Sequence, residues 1–276
     1  MGALENKVAL ITGGARGQGR THAVALAQEG ADIVLCDIAE NISTVGYDMA
    51  TPADLEETVR LVEKEGRRAV GLVADMRDTA QVQTVADTAI DQFGSIDILV
   101  ANHGVMTYAT VEATTDEEWQ NILDINLTGI FKVTRAVIPH MRRQGYGRII
   151  CTASHASRRG FGNIAAYSAS KWGVVGFVKC CAYDVAGSGI TVNAICPTFV
   201  DTAMVQNPGT YKIFCPDIEN PTRADIEARI ADPFGPGWYP PEEVSRLVVY
   251  LATDTRGVLT GQVHDVGYGL MAAMNT

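Results

Sequence analysis

The sequence contains no apolar run that approaches the roughly 20 residues a membrane-spanning helix requires. Its first residues, MGALENKVALITGG, lack a basic segment followed by a separate apolar stretch and a cleavage site, so we expect no signal peptide. Basic side chains are scarce: 22 Lys and Arg stand against 32 Asp and Glu, which gives a net charge of −10. This balance disfavours a nucleic-acid or anionic-membrane surface, and we expect neither partner.

Cysteine and histidine are too sparse and too irregularly spaced to indicate a metal site. The six cysteines include no C-x-x-C pair, and the five histidines show no H-x-x-x-H or H-E-x-x-H spacing. Cys36, Cys151 and Cys196 lie in apolar, strand-like runs. We therefore expect no bound metal, and buried reduced thiols in a cytoplasmic protein.

What the sequence does contain is an alternation of short apolar runs with helical patterns. Seven runs, apolar on both faces, are typical of strands in a covered parallel sheet: KVALITGG, ADIVLCD, RAVGLVAD, IDILVANHG, GRIICTAS, ITVNAICP and GQVHDV. Helical patterns lie between them at 18–29, 52–66, 78–93, 116–143, 164–187 and 241–253. Repeated βα units predict an α/β fold of the Rossmann type, a doubly wound, seven-stranded parallel sheet with helices on both faces.

Nothing in the sequence suggests more than one domain. There is no Pro/Ser-rich linker and no internal repeat, so residues 1–276 are interpreted as a single domain. Two segments interrupt the alternation: residues 38–51 are longer than a usual βα connection, and residues 198–240 carry turn residues, aromatics and a short helical stretch near 222–231. Long excursions at the end of a sheet are often binding loops, so we interpret 198–240 as a substrate lid.

Glycine is concentrated where the first strand meets the first helix. In ITGGARGQG, Gly13, Gly17 and Gly19 have G-x-x-x-G-x-G spacing. Glycines at such a turn let a pyrophosphate approach the backbone at the N-terminus of the helix. A turn of this kind can also serve packing alone, but its position in the first βα unit favours nucleotide binding.

The choice between NAD and NADP depends on two side chains of opposite charge. Asp37 ends the second predicted strand, 18 residues after Gly19, where a carboxylate binds the ribose hydroxyls of the adenosine. Arg16 would instead favour NADP, since a cation before the second glycine could bind its 2′-phosphate. Because a fixed carboxylate repels such a phosphate strongly, we predict NAD.

Tyr167 and Lys171 lie four residues apart in the predicted helical stretch AAYSASKWG. Side chains at i and i+4 share one helix face, and an ammonium near a phenol lowers the pKa of the phenol. Tyr167 would then be suited to general acid–base catalysis. The alternative is an amphipathic helix with an exposed tyrosine and a solvated lysine, and this pair alone does not decide between them.

Together these elements resemble the short-chain dehydrogenase/reductase family over essentially the whole chain. The family pattern T-G-x-x-x-G-x-G matches Thr12 to Gly19, and the N-N-A-G turn after the fourth strand matches ANHG at 101–104. His103 departs from the family pattern and is either an ordinary loop residue or one that adjusts contact with the cofactor. The resemblance implies cofactor contacts from Gly13, Arg16, Gly17, Gln18, Gly19, Asp37, Asp75, Met76, Asn102, Gly104, Tyr167, Lys171, Pro197, Val200 and Thr202.

The same resemblance implies four catalytic residues, Asn126, Ser154, Tyr167 and Lys171. The family's serine lies 13 residues before its tyrosine, which selects Ser154 over the neighbouring Ser157. In the family, the lysine lowers the pKa of the tyrosine and holds the nicotinamide ribose, while the tyrosine transfers the alcohol proton. The serine hydrogen-bonds the substrate oxygen, and the asparagine keeps a water near the lysine.

A narrower resemblance links the chain to the mycofactocin-coupled, carveol-dehydrogenase-like branch of this family. It rests on GGARGQGRTHAVALAQEGADIVLCDI, on TPADLEETVRLVE, on CPTFVDT, and on the insertion 38–51. The branch implies that the insertion packs over bound NAD and that an external redox acceptor such as mycofactocin takes part. The family also implies a homotetramer built through 116–143, 164–187 and the C-terminal strand.

The leading functional interpretation is an NAD-dependent oxidoreductase for a small apolar secondary alcohol or ketone, with a carveol-like terpenoid alcohol as first candidate. The lid aromatics suit an apolar pocket, although each could instead pack the lid on the sheet: Phe199, Tyr211, Phe214, Phe234, Trp238 and Tyr239. One alternative is a 3-oxoacyl-thioester reductase, which Asp37 disfavours because that reaction more naturally uses NADPH. Another is a non-catalytic NAD-binding regulatory protein, but such relatives usually lose the tyrosine or the lysine.

Overall fold

Seven strands form one parallel sheet in the computed structural model, which describes residues 2–231, 235, 237–254 and 256–268. The strands are β1 Val8–Thr12, β2 Asp32–Asp37, β3 Ala69–Val73, β4 Ile98–Ala101, β5 Gly147–Thr152, β6 Ile190–Pro197 and β7 Val263–Val266. Each predicted run contains one of them, and their order is β3-β2-β1-β4-β5-β6-β7. The order reverses between β1 and β4, and ligands of such sheets bind at the carboxyl ends of the strands at this point.

Helices cover both faces of the sheet, which confirms the predicted fold class. They are α1 Gly17–Gln28, α2 Pro52–Lys64, α3 Thr79–Phe93, α4 Asp116–Leu123, α5 Gly129–Gln144, α6 Ala165–Asp184, α7 Pro208–Phe214, α8 Arg223–Ile230 and α9 Pro241–Thr253. Thr51 caps α2 through a capping box with Asp54. The short helix α7 in the lid was not predicted.

Alternate residues of each strand pack on opposite faces of the sheet. In β1, Val8 and Leu10 join the buried cluster formed with α3, α5 and α6, while Ala9 and Ile11 join the cluster formed with α1, α2 and α9. Both faces of the central strands are therefore apolar and buried, as a covered parallel sheet requires. The burial holds the carboxyl ends of the strands in fixed positions.

The predicted helix 116–143 is interrupted by one π-helical turn at Asp124–Thr128, between α4 and α5. Such a turn places an additional residue in the helix and is frequently found at functional sites. Here Asn126 exchanges hydrogen bonds with the backbone of Val105, accepting from its amide at 2.8 Å and donating to its carbonyl at 2.9 Å. The irregular turn is thus tied to the segment that follows β4.

The cysteines are thiols, and all but Cys180 are buried. Cys36, Cys151 and Cys196 lie in strands, as predicted. Within the described residues, no group of three or more His, Cys, Asp or Glu side chains could hold a metal ion. None of the helices in that part of the chain has both the length and the apolar character needed to cross a bilayer.

Candidate active site

The turn between β1 and α1 forms one end of a cleft at the carboxyl edge of the sheet. Gly13 and Gly17 adopt φ angles of +64° and +54°, a conformation that L side chains rarely adopt. Gly19 is buried in the first turn of α1, and that turn contains no acidic residue. The N-terminal amides of α1 can therefore bind an anion, and the turn fits the pyrophosphate of a dinucleotide.

Asp37, at the end of β2, lies beside this turn. Its carboxylate accepts hydrogen bonds from the amides of Ala15 and Ala39, each at 3.1 Å. Burial raises the pKa of Asp37, while the two amides and Arg16 act in the opposite direction. The Arg16 guanidinium donates to the backbone carbonyl of Asp48 in the insertion 38–51. Arg16 is therefore engaged by the protein itself, which weakens the case that it receives a 2′-phosphate.

The cleft extends from this turn across the ends of β1, β2 and β4, and most of the predicted cofactor contacts line it. These are Gly13, Arg16, Gly17, Gln18, Asp37, Asp75, Met76, Asn102, Gly104 and Thr202. The remaining ones, Gly19, Tyr167, Lys171, Pro197 and Val200, are buried and do not line it. The side-chain oxygen of Gln18 is buried without a hydrogen-bond partner in the described part of the chain, and a ribose hydroxyl of a dinucleotide could satisfy it.

Asp75 and Met76 form the wall of the cleft after β3. The Asp75 carboxylate accepts a hydrogen bond from Nε of Arg77 at 2.8 Å, and Arg77 also donates to Asn121 at 3.1 Å. Met76 also lines the cleft and is buried. A fixed carboxylate beside an apolar surface suits an adenine ring, which the family resemblance assigns to this position.

His103 is buried and hydrogen-bonded, and neither interpretation drawn from the sequence anticipated its partner. Its Nδ1 lies 2.6 Å from the Thr12 hydroxyl, which also accepts hydrogen bonds from the amides of Asn102 and His103. With both acceptor sites of its oxygen used, the Thr12 hydroxyl donates its hydrogen to Nδ1. Burial lowers the pKa of His103 to about 3, so the ring is neutral and carries its proton on Nε2.

The four predicted catalytic residues are all buried. Asn126 and Lys171 lie beside the turn after β4, and Ser154 follows the end of β5. A Cβ on Gly104 would lie 3.2 Å from both Asn126 Oδ1 and Lys171 Nζ, so these two groups flank that glycine. Lys171 donates to the Thr152 carbonyl at 2.8 Å, and its Nζ lies 5.8 Å from the ring centroid of Tyr167. Asn126 also donates to the Ser170 hydroxyl at 3.1 Å.

Ser154 follows β5 in an extended conformation, and its hydroxyl accepts from the Ala156 amide at 3.2 Å. Ser157 is engaged elsewhere: its hydroxyl donates to the Ser154 carbonyl at 2.5 Å and lies 3.4 Å from Sγ of Cys196. The structure therefore leaves Ser154, not Ser157, as the serine that interacts with the Tyr167 phenol.

The expectation that Lys171 lowers the pKa of Tyr167 is wrong for the protein alone. Burial raises the pKa of Tyr167 to about 12, and the hydrogen bond with Ser154 only partly offsets it. Burial also lowers the pKa of Lys171 to about 8. The physical reason is that both heads leave water, and this desolvation disfavours the phenolate and the ammonium alike.

The segment after β6 is fixed by Tyr239, a role that the sequence did not reveal. The Tyr239 hydroxyl accepts from the Thr198 amide at 2.8 Å and donates to the Val266 carbonyl at 2.5 Å. The backbones of Val200 and Tyr239 form a β-bridge. Tyr239 thus packs in the sheet core rather than lining a substrate pocket, and it holds the segment that contains Val200 and Thr202.

The other lid aromatics pack mainly on one another, which is the alternative that the sequence left open. Phe199, Tyr211, Phe214 and Trp238 form a cluster with Cys215 and Ile226, and Phe234 lies outside the described residues. A second apolar cluster surrounds Tyr167, and its members were not predicted from the sequence: Met106, Tyr108, Ala156, Phe161, Ile164, Met204, Val205 and Ile213. The sequence signal that could have indicated this cluster is the pair of aromatic residues in the loops after β4 and β5, Tyr108 and Phe161.

The insertion 38–51 both lines the cleft and packs on neighbouring helices. Ile42 is buried with Ile122, Ile125 and Ala166 from α4, the π turn and α6. Tyr47 reaches the other side, where its hydroxyl accepts from the Met106 amide at 3.3 Å. The insertion contributes Ile38, Ile42, Tyr47, Met49 and Ala50 to the cleft wall. Its apolar side chains are therefore shared between helix packing and the cleft.

Comparison with known proteins identifies a consistent set of relatives. The family model described as short chain dehydrogenase matches residues 7–211. The chain is 38% identical to the (-)-trans-carveol dehydrogenase of Rhodococcus erythropolis over 98% of its own length and 99% of that protein. It is also 38% identical to the putative ketoacyl reductase of the monensin polyketide synthase of Streptomyces virginiae, with 96% and 97% of the two chains covered.

Among solved structures, carveol dehydrogenase from Mycobacterium avium in complex with NAD superimposes with a TM-score of 0.93. The two chains are 39% identical, and the match covers 96% of this chain and 98% of the other. Fold and sequence therefore agree over nearly the full length.

Proposed function

The chain belongs to the short-chain dehydrogenase family, and on that premise we propose that it transfers a hydride between NAD and a small apolar secondary alcohol or ketone. The observation that carries the proposal is that Asn126 and Lys171 flank Gly104 of an NAD-compatible cleft, while Tyr167, near Lys171 and Ser154, lies in an apolar cluster. A carveol-like terpenoid alcohol is the first candidate substrate, which the two carveol dehydrogenases among the relatives support.

The proposed mechanism assigns proton handling to this chain and hydride chemistry to the cofactor. NAD, when bound, would supply the hydride acceptor for oxidation and the hydride donor for reduction. Ser154 donates a hydrogen bond to the substrate oxygen, and Tyr167 takes the alcohol proton or gives it back. Lys171, fixed on the Thr152 carbonyl, binds the nicotinamide ribose, and Asn126 holds a water near Lys171. Asp37 accepts hydrogen bonds from the adenosine ribose.

A 3-oxoacyl-thioester reductase is the second candidate, supported by the similarity to a putative ketoacyl reductase. The carboxylate of Asp37 and the engagement of Arg16 by Asp48 both argue against a 2′-phosphate, and hence against NADPH. The non-catalytic regulatory alternative has no support from the site, because Tyr167 and Lys171 are both present and buried together.

The proposed function is tested by releasing and identifying any dinucleotide that co-purifies, and then by assaying turnover. We expect NAD by mass spectrometry, and oxidation of carveol when an artificial electron acceptor is added. NADP in the purified protein, or reduction of a 3-oxoacyl thioester by NADPH with no carveol turnover, would favour the second candidate.

Replacing Asp37 with Ala is expected to weaken NAD binding by roughly tenfold or more, the usual range for a hydrogen bond to a charged group. Binding of NADP should weaken less, so the preference for NAD narrows. Titration of NAD and NADP against the wild type and D37A measures this preference. Glu40→Ala removes a nearby exposed carboxylate and serves as the control. A wild-type protein that already prefers NADP would show that Arg16, not Asp37, sets the choice.

We further propose a homotetramer in the cytoplasm. Phe131 on α5 and Trp172 and Tyr183 on α6 are large side chains with exposures of 41%, 52% and 86%, and a helix-to-helix contact between subunits would cover them. β7 lies at one edge of the sheet, where a second copy would cover it, while the apolar tail at 269–276 lies outside the described residues. Light scattering at micromolar concentration should give four times the chain mass, and Trp172→Arg should reduce it. A monomeric wild type contradicts this.

A further inference from the structure

His155, next to Ser154, is a buried imidazole for which the reaction described above has no use. It begins the short 3₁₀ turn His155–Ser157 and is only 8% exposed. Burial lowers the pKa of His155 to about 4, although a hydrogen-bonding contact with the Pro197 backbone carbonyl acts in the opposite direction. The ring is therefore neutral near pH 7, with one nitrogen that donates and one that accepts a hydrogen bond.

Apart from a poorly aligned contact with the Pro197 carbonyl, neither ring nitrogen of His155 has a hydrogen-bond partner within the described residues. The buried histidines His103 and His22 each have one ring nitrogen bonded, to Thr12 and to Ser245, although Nε2 of each has no partner in the part of the chain that the structure describes. A buried donor and acceptor left unpaired destabilise the folded protein, and native proteins seldom retain such a pair without a reason.

The surroundings of the ring connect it to the substrate side of the site. Its centroid lies 4.7 Å from that of Phe161, a member of the apolar cluster around Tyr167. On the lid side, the centroid of Phe199 lies 5.4 Å away. His155 therefore stands where the cluster around Tyr167 meets the lid, one residue from the hydroxyl of Ser154.

Within that cluster the other polar head is fully engaged. The Tyr108 hydroxyl contacts Thr210 at 2.7 Å, donates to the Met204 carbonyl at 3.0 Å and accepts from Asn207 at 3.0 Å. It has no capacity left for a ligand. Besides the reacting pair Ser154 and Tyr167, His155 thus offers buried polar atoms beside this cluster within the described part of the chain.

We propose that His155 forms a second polar subsite, which hydrogen-bonds a further hydroxyl or carbonyl oxygen of the substrate. The substrate class becomes an apolar secondary alcohol or ketone that carries a second oxygen function a few bonds from the reacting carbon. A neutral imidazole suits either partner, because it can accept from a hydroxyl and donate to a carbonyl. This inference rests on the proposed function and narrows its substrate.

The test compares cyclohexanol with 1,2-, 1,3- and 1,4-cyclohexanediol in the holoenzyme, with an added electron acceptor. For at least one diol, the wild type should show a kcat/KM about tenfold above that for cyclohexanol, the scale of one hydrogen bond. In His155→Phe, which keeps an aromatic ring against Phe161, the ratio of kcat/KM for that diol to kcat/KM for cyclohexanol should fall to about one. His155→Gln, which restores a donor and an acceptor, should recover part of it, and His140→Phe on α5 should leave it unchanged.

Two outcomes overturn the subsite: a wild type that prefers no diol over cyclohexanol, or a His155→Phe variant that keeps the preference. The first needs no variant, so it remains decisive if the replacement does not fold. Failure of the proposed function looks different, since the wild type would then oxidise neither carveol nor any of the cyclohexanols.

Discussion

Replacing Tyr167 with Phe is expected to lower kcat by at least a hundredfold while NAD affinity changes little. The ring packs with Met106, Ile164 and Phe161, and phenylalanine preserves those contacts. Only the hydroxyl is lost, and with it the group that exchanges a proton with the alcohol oxygen. General acid–base catalysis contributes about 10²–10⁴-fold in rate, which sets the expected scale. Steady-state turnover of carveol and a dinucleotide titration measure the two quantities.

Tyr183→Phe supplies the matched control, because it makes the same change on the same helix at a side chain that is 86% exposed. Its turnover should equal that of the wild type. Turnover in Y167F within a few-fold of the wild type would remove Tyr167 from the chemistry, whatever the effect on binding.

The pH dependence of oxidation gives a second readout of the same assignment. The pKa of Tyr167 is raised to about 12, so below that pH the phenol is largely protonated in the protein alone. The basic form increases as pH rises toward the pKa, and the rate of alcohol oxidation should rise with it. Y167F should lose this rise, since no group remains at that position to titrate.

The sequence predicts the strands well because burial on both faces makes them apolar throughout. Through a pattern of residue types it also predicts the turn glycines and the place of Asp37 at the end of β2, and the catalytic roles of Asn126, Ser154, Tyr167 and Lys171 stay predictions. It does not predict the π turn at Asp124–Thr128, because the sequence DINLT continues a helical pattern without a break. The interruption arises from tertiary contact, since Asn126 pairs with a backbone segment 21 residues away.

The same limit applies to the electrostatics of the site. The spacing of Tyr167 and Lys171 correctly predicts one helix face, but their pKa values depend on burial. Desolvation is a property of the packed fold, and no local pattern reports it. His103 is a similar case: its partner Thr12 lies 91 residues away, at the end of a neighbouring strand.

Shortening the insertion, residues 39–50, to a brief turn is expected to convert retained NAD into exchangeable NAD. The insertion lines the cleft and is attached at two points. On one side the guanidinium of Arg16 binds the Asp48 carbonyl, and on the other the Tyr47 hydroxyl accepts from Met106. A dinucleotide bound in this cleft would contact the insertion, and we expect its release to require these attachments to break.

The packing of Ile42 on α4 and α6 raises the cost of opening, because that side chain must leave a buried apolar cluster. Because the insertion must open before NAD leaves, it slows dissociation of NAD, but it takes no part in the hydride step. Retention of NAD should therefore change far more than the rate of hydride transfer. This separation also bears on the proposed external acceptor. An enzyme that cannot release reduced NAD must be reoxidised in place by a second redox partner.

The measurement is the NAD that remains bound after extensive dialysis, in the wild type and in the shortened protein. A control shortened at the exposed turn 110–113 should retain as much NAD as the wild type, because that turn does not line the cleft. The shortened insertion should lose most of its NAD and should regain turnover when free NAD is supplied. Equal retention in both proteins would show that the insertion serves helix packing alone. A wild type that retains none would identify an ordinary dehydrogenase that exchanges its NAD, with no need of an external acceptor.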